Sequence, residues 1–278
     1  MTIPGTHDSG AIRGASPFKC QSMSIRQQLH YGIRFVDIRC KIVRQELHIY
    51  HQFINMRTKF SQVLQDMVQF LTVNPSECLI MSVKEEGVRH NSKSFEDLYD
   101  KYITQFGRNK YFYHRATIPK LSECRGKIVL FRRFNVKKVY KHEDEQKGIV
   151  VEWEDNEMSR SCGIVMCFYI QDQFNIGDVD RKWKQIETTL MEAEQQTSAS
   201  SWFINFASAT GLMKITKLLQ RLTPRNFARK INPRIIRFFT TKYKEKKKNK
   251  SPIHRRYGTI LMDFVTPELI YSVIKINF

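Results

Sequence analysis

Short apolar runs alternate with amphipathic stretches along the whole chain. Arg34–Ile42 and Leu47–Tyr50 predict strands. Thr58–Leu71 has helical spacing, with Phe60, Val63, Leu64, Met67, Phe70 and Leu71 on one face, and Asn74-Pro75 stops it. Cys78–Val83, reading CLIMSV, is a continuous apolar run suited to a strand buried on both faces. Ser94-Phe-Glu-Asp97 reads as a capping box opening a helix to about Gln105. Lys127–Phe131, Gly163–Ile170 and Trp202–Ala207 predict further strands, while Asp178–Glu194 and much of Thr223–Lys242 predict helices. Tyr257–Val265 is the last expected strand and Pro267–Lys275 the closing helix. Strand followed by helix, repeated, implies parallel pairing through crossovers. Seven or eight such strands without a Gly-rich dinucleotide turn favour a closed barrel over an open doubly wound sheet. The expected class is α/β: a distorted TIM-type (β/α) barrel, whole or incomplete, forming one domain over residues 1–278.

A chain of 278 residues buries enough surface to hold a core without staples. With 41% apolar and 26% charged residues, it is neither disordered nor collagen-like. No apolar run reaches the ~18–20 residues of a membrane span. The ends of the chain carry no basic n-region or apolar h-region, so no secretory signal is expected in it. The net charge of +19 favours an anionic partner, and most of it falls in residues 212–256. Within that segment, Lys242–Lys250 reads as a solvated loop, because like charges this dense repel. Solubility alone would explain the segment; contact with an anionic surface is the reading preferred here. A nucleic-acid partner is not expected, since no such motif appears and aromatics do not interleave with the basic run. The six cysteines are scattered without metal-ligand spacing, so buried thiols are expected rather than a disulfide framework, and no zinc.

Three features could carry chemistry. His7-Asp8 ends the first strand, Asp37-Ile-Arg39 puts an acid and a base on one side of a strand, and His51 ends the strand after it. Singly, each has a plain structural explanation, as a hydrogen-bonded histidine or an internal ion pair. In a parallel barrel, however, strand ends converge where catalytic groups collect. Two imidazoles and a guanidinium there suit phosphate-ester chemistry: one ring takes a proton, the other gives one, and the arginine holds the phosphorus oxygens.

These residues sit in segments that resemble the bacterial-type phosphatidylinositol-specific phospholipase C family, the X-domain fold. IPGTHDSG, GIRFVDIR, the strand ending in His51, FLTVNPSECLIMSVKEE, RGKIVLFRRF, IQDQFNI, FINFASA, INPRII and MDFV match in order over essentially the whole chain. The resemblance implies a phosphodiesterase that cleaves inositol phospholipids, or glycosylphosphatidylinositol anchors, to diacylglycerol and a cyclic inositol phosphate. It makes His7 the general base, His51 the general acid, Arg39 the phosphate ligand and Asp37 the acid beside it. Asp263 would orient His7, and Asp8 would serve His51 in the same way. Lys84, Arg133 and Asp172 would bind inositol hydroxyls, with Arg133 preferred to Arg132 because it directly precedes Phe134. Phe174 would stack under the ring.

Calcium-dependent relatives carry Asn after the first histidine and acidic ligands where this chain has Asp8 and Arg39. The resemblance therefore implies no metal and no cofactor. It also implies a segment with a short helix ahead of the first strand, which this sequence lacks, and relatives that are often exported. Two departures bear on headgroup preference: Gln52 stands where Gly is common, and Phe174 where Tyr is common. A decayed relative that binds anionic lipid without turnover is the alternative, opposed by the presence of both histidines, Arg39 and Asp263.

Overall fold

The computed structural model describes the chain except residues 88–92, 137–146, 163–165, 197, 199, 216–217 and 250–255. The start of the expected strand at Gly163, and Lys250 with its neighbours in the basic segment, lie outside the described residues. Two compact units form, one from Met1–His7, Tyr31–Ile33 and Trp153–Phe278, the other from Asp8–His30 and Arg34–Glu152. No helix among the described residues is long and apolar enough to cross a membrane.

In the first unit, parallel strands lie in the order Ile3–Thr6, Thr259–Met262, Ser201–Phe206 and Cys167–Gln171. Met158–Cys162 adds antiparallel to the last of them. This short polar strand was not expected, and the predicted Gly163–Ile170 strand begins instead at Cys167. Cys162 and Cys167 face each other across the pair and form a disulfide. The expectation of buried thiols therefore fails for these two, because the hairpin brings them into register. Cys20, Cys40 and Cys124 keep buried thiols outside any disulfide, and Cys78 a half-buried one.

The helix Val179–Gln195 connects two parallel strands and buries Ile186, Leu190 and Ala193. Asp178 caps its start by accepting from the N–H groups of Asp180 and Arg181. Pro224–Asn249 forms one long helix, with Pro233 inside it. It runs antiparallel to Thr259–Met262: Asn232 reaches the residues after that strand, while Phe238 and Phe239 pack on Tyr257 before it.

The lysine-rich stretch from Lys242 to Asn249 is the end of this helix, which corrects the loop expected there. Lysine has good helix propensity, and cations in the last turn complement the helix dipole. The stretch is also tied down: Lys242 pairs with Glu194 at 2.8 Å, Lys246 donates to the Ile276 carbonyl at 3.1 Å, and Lys275 sits 4.2 Å over the Tyr243 ring. The last strand is shorter than expected, ending at Met262, and Pro267–Lys275 closes the chain with the hydroxyl of Thr266 as its cap.

In the second unit, parallel strands run in the order Phe112–Tyr113, Ile128–Arg133, Leu79–Glu85 and Phe35–Val43. A meander of Glu46–His51 and Ile54–Lys59 continues antiparallel from the last of these. Leu79, Ile80, Met81 and Val83 are buried, as expected of a strand covered on both faces. The helix Phe60–Val73 buries Phe60, Val63, Leu64, Met67 and Leu71. It starts two residues later than its spacing predicts because Thr58 and Lys59 extend the strand Ile54–Lys59. The helix Lys93–Gln105 begins one residue before Ser94, so Ser94 occupies its first turn and does not cap it.

Candidate active site

The first unit positions His7 and Asp263. Their strands pair in parallel with Thr6 opposite Met262, so the two residues leave adjacent strand ends at the same level. The backbone N–H of His7 donates to the Met262 carbonyl at 3.1 Å, and Nδ1 of its ring lies 2.9 Å from Asp263 Oδ1. A carboxylate only accepts, so Nδ1 carries the hydrogen and Nε2 is left to take a proton. Asp263 is buried, and the side chain of Asn232 fixes its backbone by donating to the carbonyls of Asp263 and Phe264. Phe206, at the end of the neighbouring strand, meets the His7 ring edge-on. Asp172 follows the strand Cys167–Gln171, and its Oδ2 accepts from Trp153 Nε1 at 2.8 Å. Phe174 lies two residues further on, its N–H donating to Asn156 Oδ1.

The second unit positions the remaining candidates. Arg39 forks between two buried carboxylates, with Nη2 3.1 Å from Asp37 Oδ2 and Nη1 3.4 Å from Asp8 Oδ2. Asp37 is further held by the N–H of Asp8 at 3.2 Å, and its other oxygen faces Arg133 Nη1 at 3.7 Å. Strand register places Arg39 opposite Lys84 and Lys84 opposite Arg133. Three cations therefore stand in one row across three parallel strands, on one face of the sheet. Arg132 points elsewhere, donating to the carbonyls of Lys147 and Phe134.

His51 departs from the arrangement expected of it. Its Nδ1 lies 2.7 Å from the Phe18 carbonyl, and Asp8 Oδ2 lies 3.6 Å from Nε2. The carbonyl, not Asp8, thus fixes the tautomer, while Asp8 stands beside the nitrogen that exchanges the proton. Sequence reasoning missed Phe18, whose contribution is a backbone oxygen. It also missed Glu86, two residues after Lys84 in the VKEE run. Glu86 accepts from the Gln52 N–H at 2.8 Å, and burial raises its carboxyl above the ordinary range.

Asp8, Cys20 and His51 bring a carboxylate oxygen, a thiol and a ring nitrogen within 4.8 Å of one another, a donor set of the type that holds zinc. The Arg39 guanidinium, 3.4 Å from that same Asp8 oxygen, already supplies the positive charge there. A third feature is conformational. The residues following His7, His51 and Asp263 are Asp8, Gln52 and Phe264, and all three adopt left-handed backbone at φ 40°, 56° and 46°. Gln52 thus occupies a conformation that favours glycine.

Each unit thus carries a histidine whose Nδ1 meets an acceptor and a buried carboxylate beside the ring, groups of the kind that acid–base phosphodiester chemistry uses. The family described as phosphatidylinositol-specific phospholipase C, X domain, matches residues 1–134. A 1-phosphatidylinositol phosphodiesterase of Listeria monocytogenes is 31% identical over 100% of this chain and 80% of its own length. The solved phosphatidylinositol-specific phospholipase C from Listeria monocytogenes is 30% identical, with a TM-score of 0.77 over 99% of this chain and 92% of that one. A Staphylococcus aureus structure concerned with modulation of that phospholipase's membrane binding has a TM-score of 0.77 at 23% identity, covering 99% of this chain and 92% of that one. The chain belongs to the phosphatidylinositol-specific phospholipase C family and shares its α/β, distorted TIM-type fold class. It is an enzyme of the phosphodiesterase type.

Proposed function

We propose that this enzyme cleaves phosphatidylinositol, free or in a glycosylated anchor, at the bond between phosphorus and the glycerol oxygen. The observation that carries the reading is that each histidine has Nδ1 committed to an acceptor, Asp263 for His7 and the Phe18 carbonyl for His51. Each ring is left with Nε2 for proton transfer. Consecutive residues, His7 and Asp8, carry the base and the carboxylate beside the acid, so both units serve one catalytic domain in this reading.

His7 Nε2 removes the proton of the inositol 2-hydroxyl, and Asp263 stabilises the imidazolium that forms. The 2-oxygen attacks phosphorus and the P–O bond to glycerol breaks. His51, holding hydrogens on both nitrogens and facing Asp8, protonates the departing diacylglycerol oxygen. The product is a cyclic inositol phosphate, which water opens with the two rings exchanging roles. Arg39 offsets charge on the phosphate, and Lys84, Arg133 and Asp172 bind ring hydroxyls above Phe174. The reaction uses no metal in this reading. Calcium takes six to eight oxygen ligands, whereas Asp8 and Asp37 already share a guanidinium.

The test is release of water-soluble inositol phosphate from radiolabelled phosphatidylinositol in the presence of EDTA. Turnover is expected to persist there. Vesicle binding without turnover would leave a non-catalytic lipid-binding relative, and loss in EDTA with recovery on added calcium would sink the metal-free mechanism.

Peripheral contact with anionic lipid is part of the proposal, with a division of labour inside residues 212–256. Exposed Arg229 and Lys230 belong to the helix end near Asp263, whereas Lys244, Lys247 and Lys248 lie towards Ile276, beyond the start of the last strand. A cation near an anionic surface contributes about 1 kcal/mol. Changing Arg229 and Lys230 to Glu is expected to weaken binding to phosphatidylglycerol vesicles about tenfold or more. The same change at Lys244, Lys247 and Lys248 is expected to leave it nearly unchanged. Equal losses in a vesicle-sedimentation assay would reject this orientation.

A further inference from the structure

Lys182 is fully buried, a rare placement for a lysine, and no step of the mechanism uses it. It lies in the first turns of the helix Val179–Gln195, and its Nζ donates to Gln171 Oε1 at 3.0 Å and to the Gln173 carbonyl at 2.6 Å. Those two residues flank Asp172. The Gln171 side chain is itself clamped: its Oε1 also accepts from the Gln173 N–H, and its Nε2 donates to Asn205 Oδ1 and the Phe206 carbonyl, each at 2.9 Å. Asn205 in turn donates to the Ile186 carbonyl, back in the helix that carries Lys182. This closed polar network surrounds the short stretch from which Asp172 and Phe174 project. Burying an ammonium is costly, and a lysine holding two helix-to-loop bonds could be replaced in a purely structural role by an apolar side chain of the same length.

We infer that Lys182 is a positioning residue for headgroup recognition, holding the Gln171 side chain and the Gln173 carbonyl on either side of Asp172 so that its carboxylate meets the inositol hydroxyls. The inference rests on the proposed inositol-lipid activity. Burial pulls the Lys182 ammonium down to about 7, with the negative charges of Asp172 and Asp263 acting in the opposite sense. The group therefore feels the carboxylate it positions without pairing to it directly.

The experiment compares wild type, Lys182→Met, Asp172→Asn and the double variant on phosphatidylinositol in mixed micelles, with free myo-inositol as competitive inhibitor. Lys182→Met is expected to raise both KM and the inhibition constant of myo-inositol about tenfold, the lower end of what losing a hydrogen bond to a charged group costs. Its kcat should stay within about twofold, and the double variant should be no worse than Asp172→Asn alone. Unchanged KM and inhibition constant, a fall confined to kcat, or losses that multiply in the double variant would overturn the inference. Should Lys182→Met fail to fold, Gln171→Met breaks the same link from the other side and is judged by the same criteria. A wild type that neither turns over the lipid nor binds myo-inositol would remove the functional reading and this inference together. An active wild type with an unaltered Lys182→Met would remove this inference alone.

Discussion

His7→Ala is expected to lower turnover of phosphatidylinositol by about 10²–10⁴-fold, the range that a positioned general base contributes. The reason lies in how its ring is held. Asp263 accepts from Nδ1 at 2.9 Å, so every protonation event is directed to Nε2, and the carboxylate is in place to stabilise the resulting cation. Alanine removes the acceptor of the inositol proton. It also leaves Asp263, 2% exposed, without its ring partner, which costs about 1–3 kcal/mol of stability. In a protein of this size each kcal/mol shifts the melting temperature by about 2–4 °C. The two effects separate cleanly when rates and melting curves are measured together at 25 °C, where the variant remains folded. Activity within threefold of wild type would exclude His7 as the base.

Arg39→Ala should damage both stability and rate. Its guanidinium lies between Asp8 and Asp37, whose side chains are 2% and 0% exposed. Removing one partner of a buried ion pair typically costs about 3–5 kcal/mol. The lower end is expected because Arg133 still faces Asp37 at 3.7 Å. A drop of roughly 10 °C in melting temperature follows from that cost. Turnover should fall by about 10²–10³-fold as phosphate charge loses a fixed donor. Arg39→Lys should recover much of the stability and little of the rate, since an ammonium keeps the charge and loses the fork. Calorimetry and saturation kinetics on the two variants would decide it; an unshifted melting curve for Arg39→Ala would contradict the arrangement.

The parts of this molecule that were legible in the sequence are those specified locally. Pro267–Lys275 occurs as read because Thr266, a proline and an apolar face all mark the same helix. The buried face of Phe60–Val73 follows from spacing alone. The row of Arg39, Lys84 and Arg133 was not readable, because register between strands 45 and 49 residues apart is a tertiary property. Met158–Cys162 escaped notice because a polar five-residue strand exists only through its partner. Lys182 looked like one more polar residue of an amphipathic helix, and only the packed neighbours reveal where its ammonium ends. The Phe18 carbonyl on His51 Nδ1, with Asp8 3.6 Å from Nε2, was not readable either, since side-chain direction depends on the turn that carries Phe18 there.

That turn chemistry has a wider consequence. Asp8, Gln52 and Phe264 each hold a side chain in a backbone well that costs a non-glycine residue about 1–2 kcal/mol. All three immediately follow a residue assigned to proton transfer or its support. The chain thus changes direction sharply at its reactive corners, like a wire bent where it must make contact, and the surrounding sheets keep those bends from springing open.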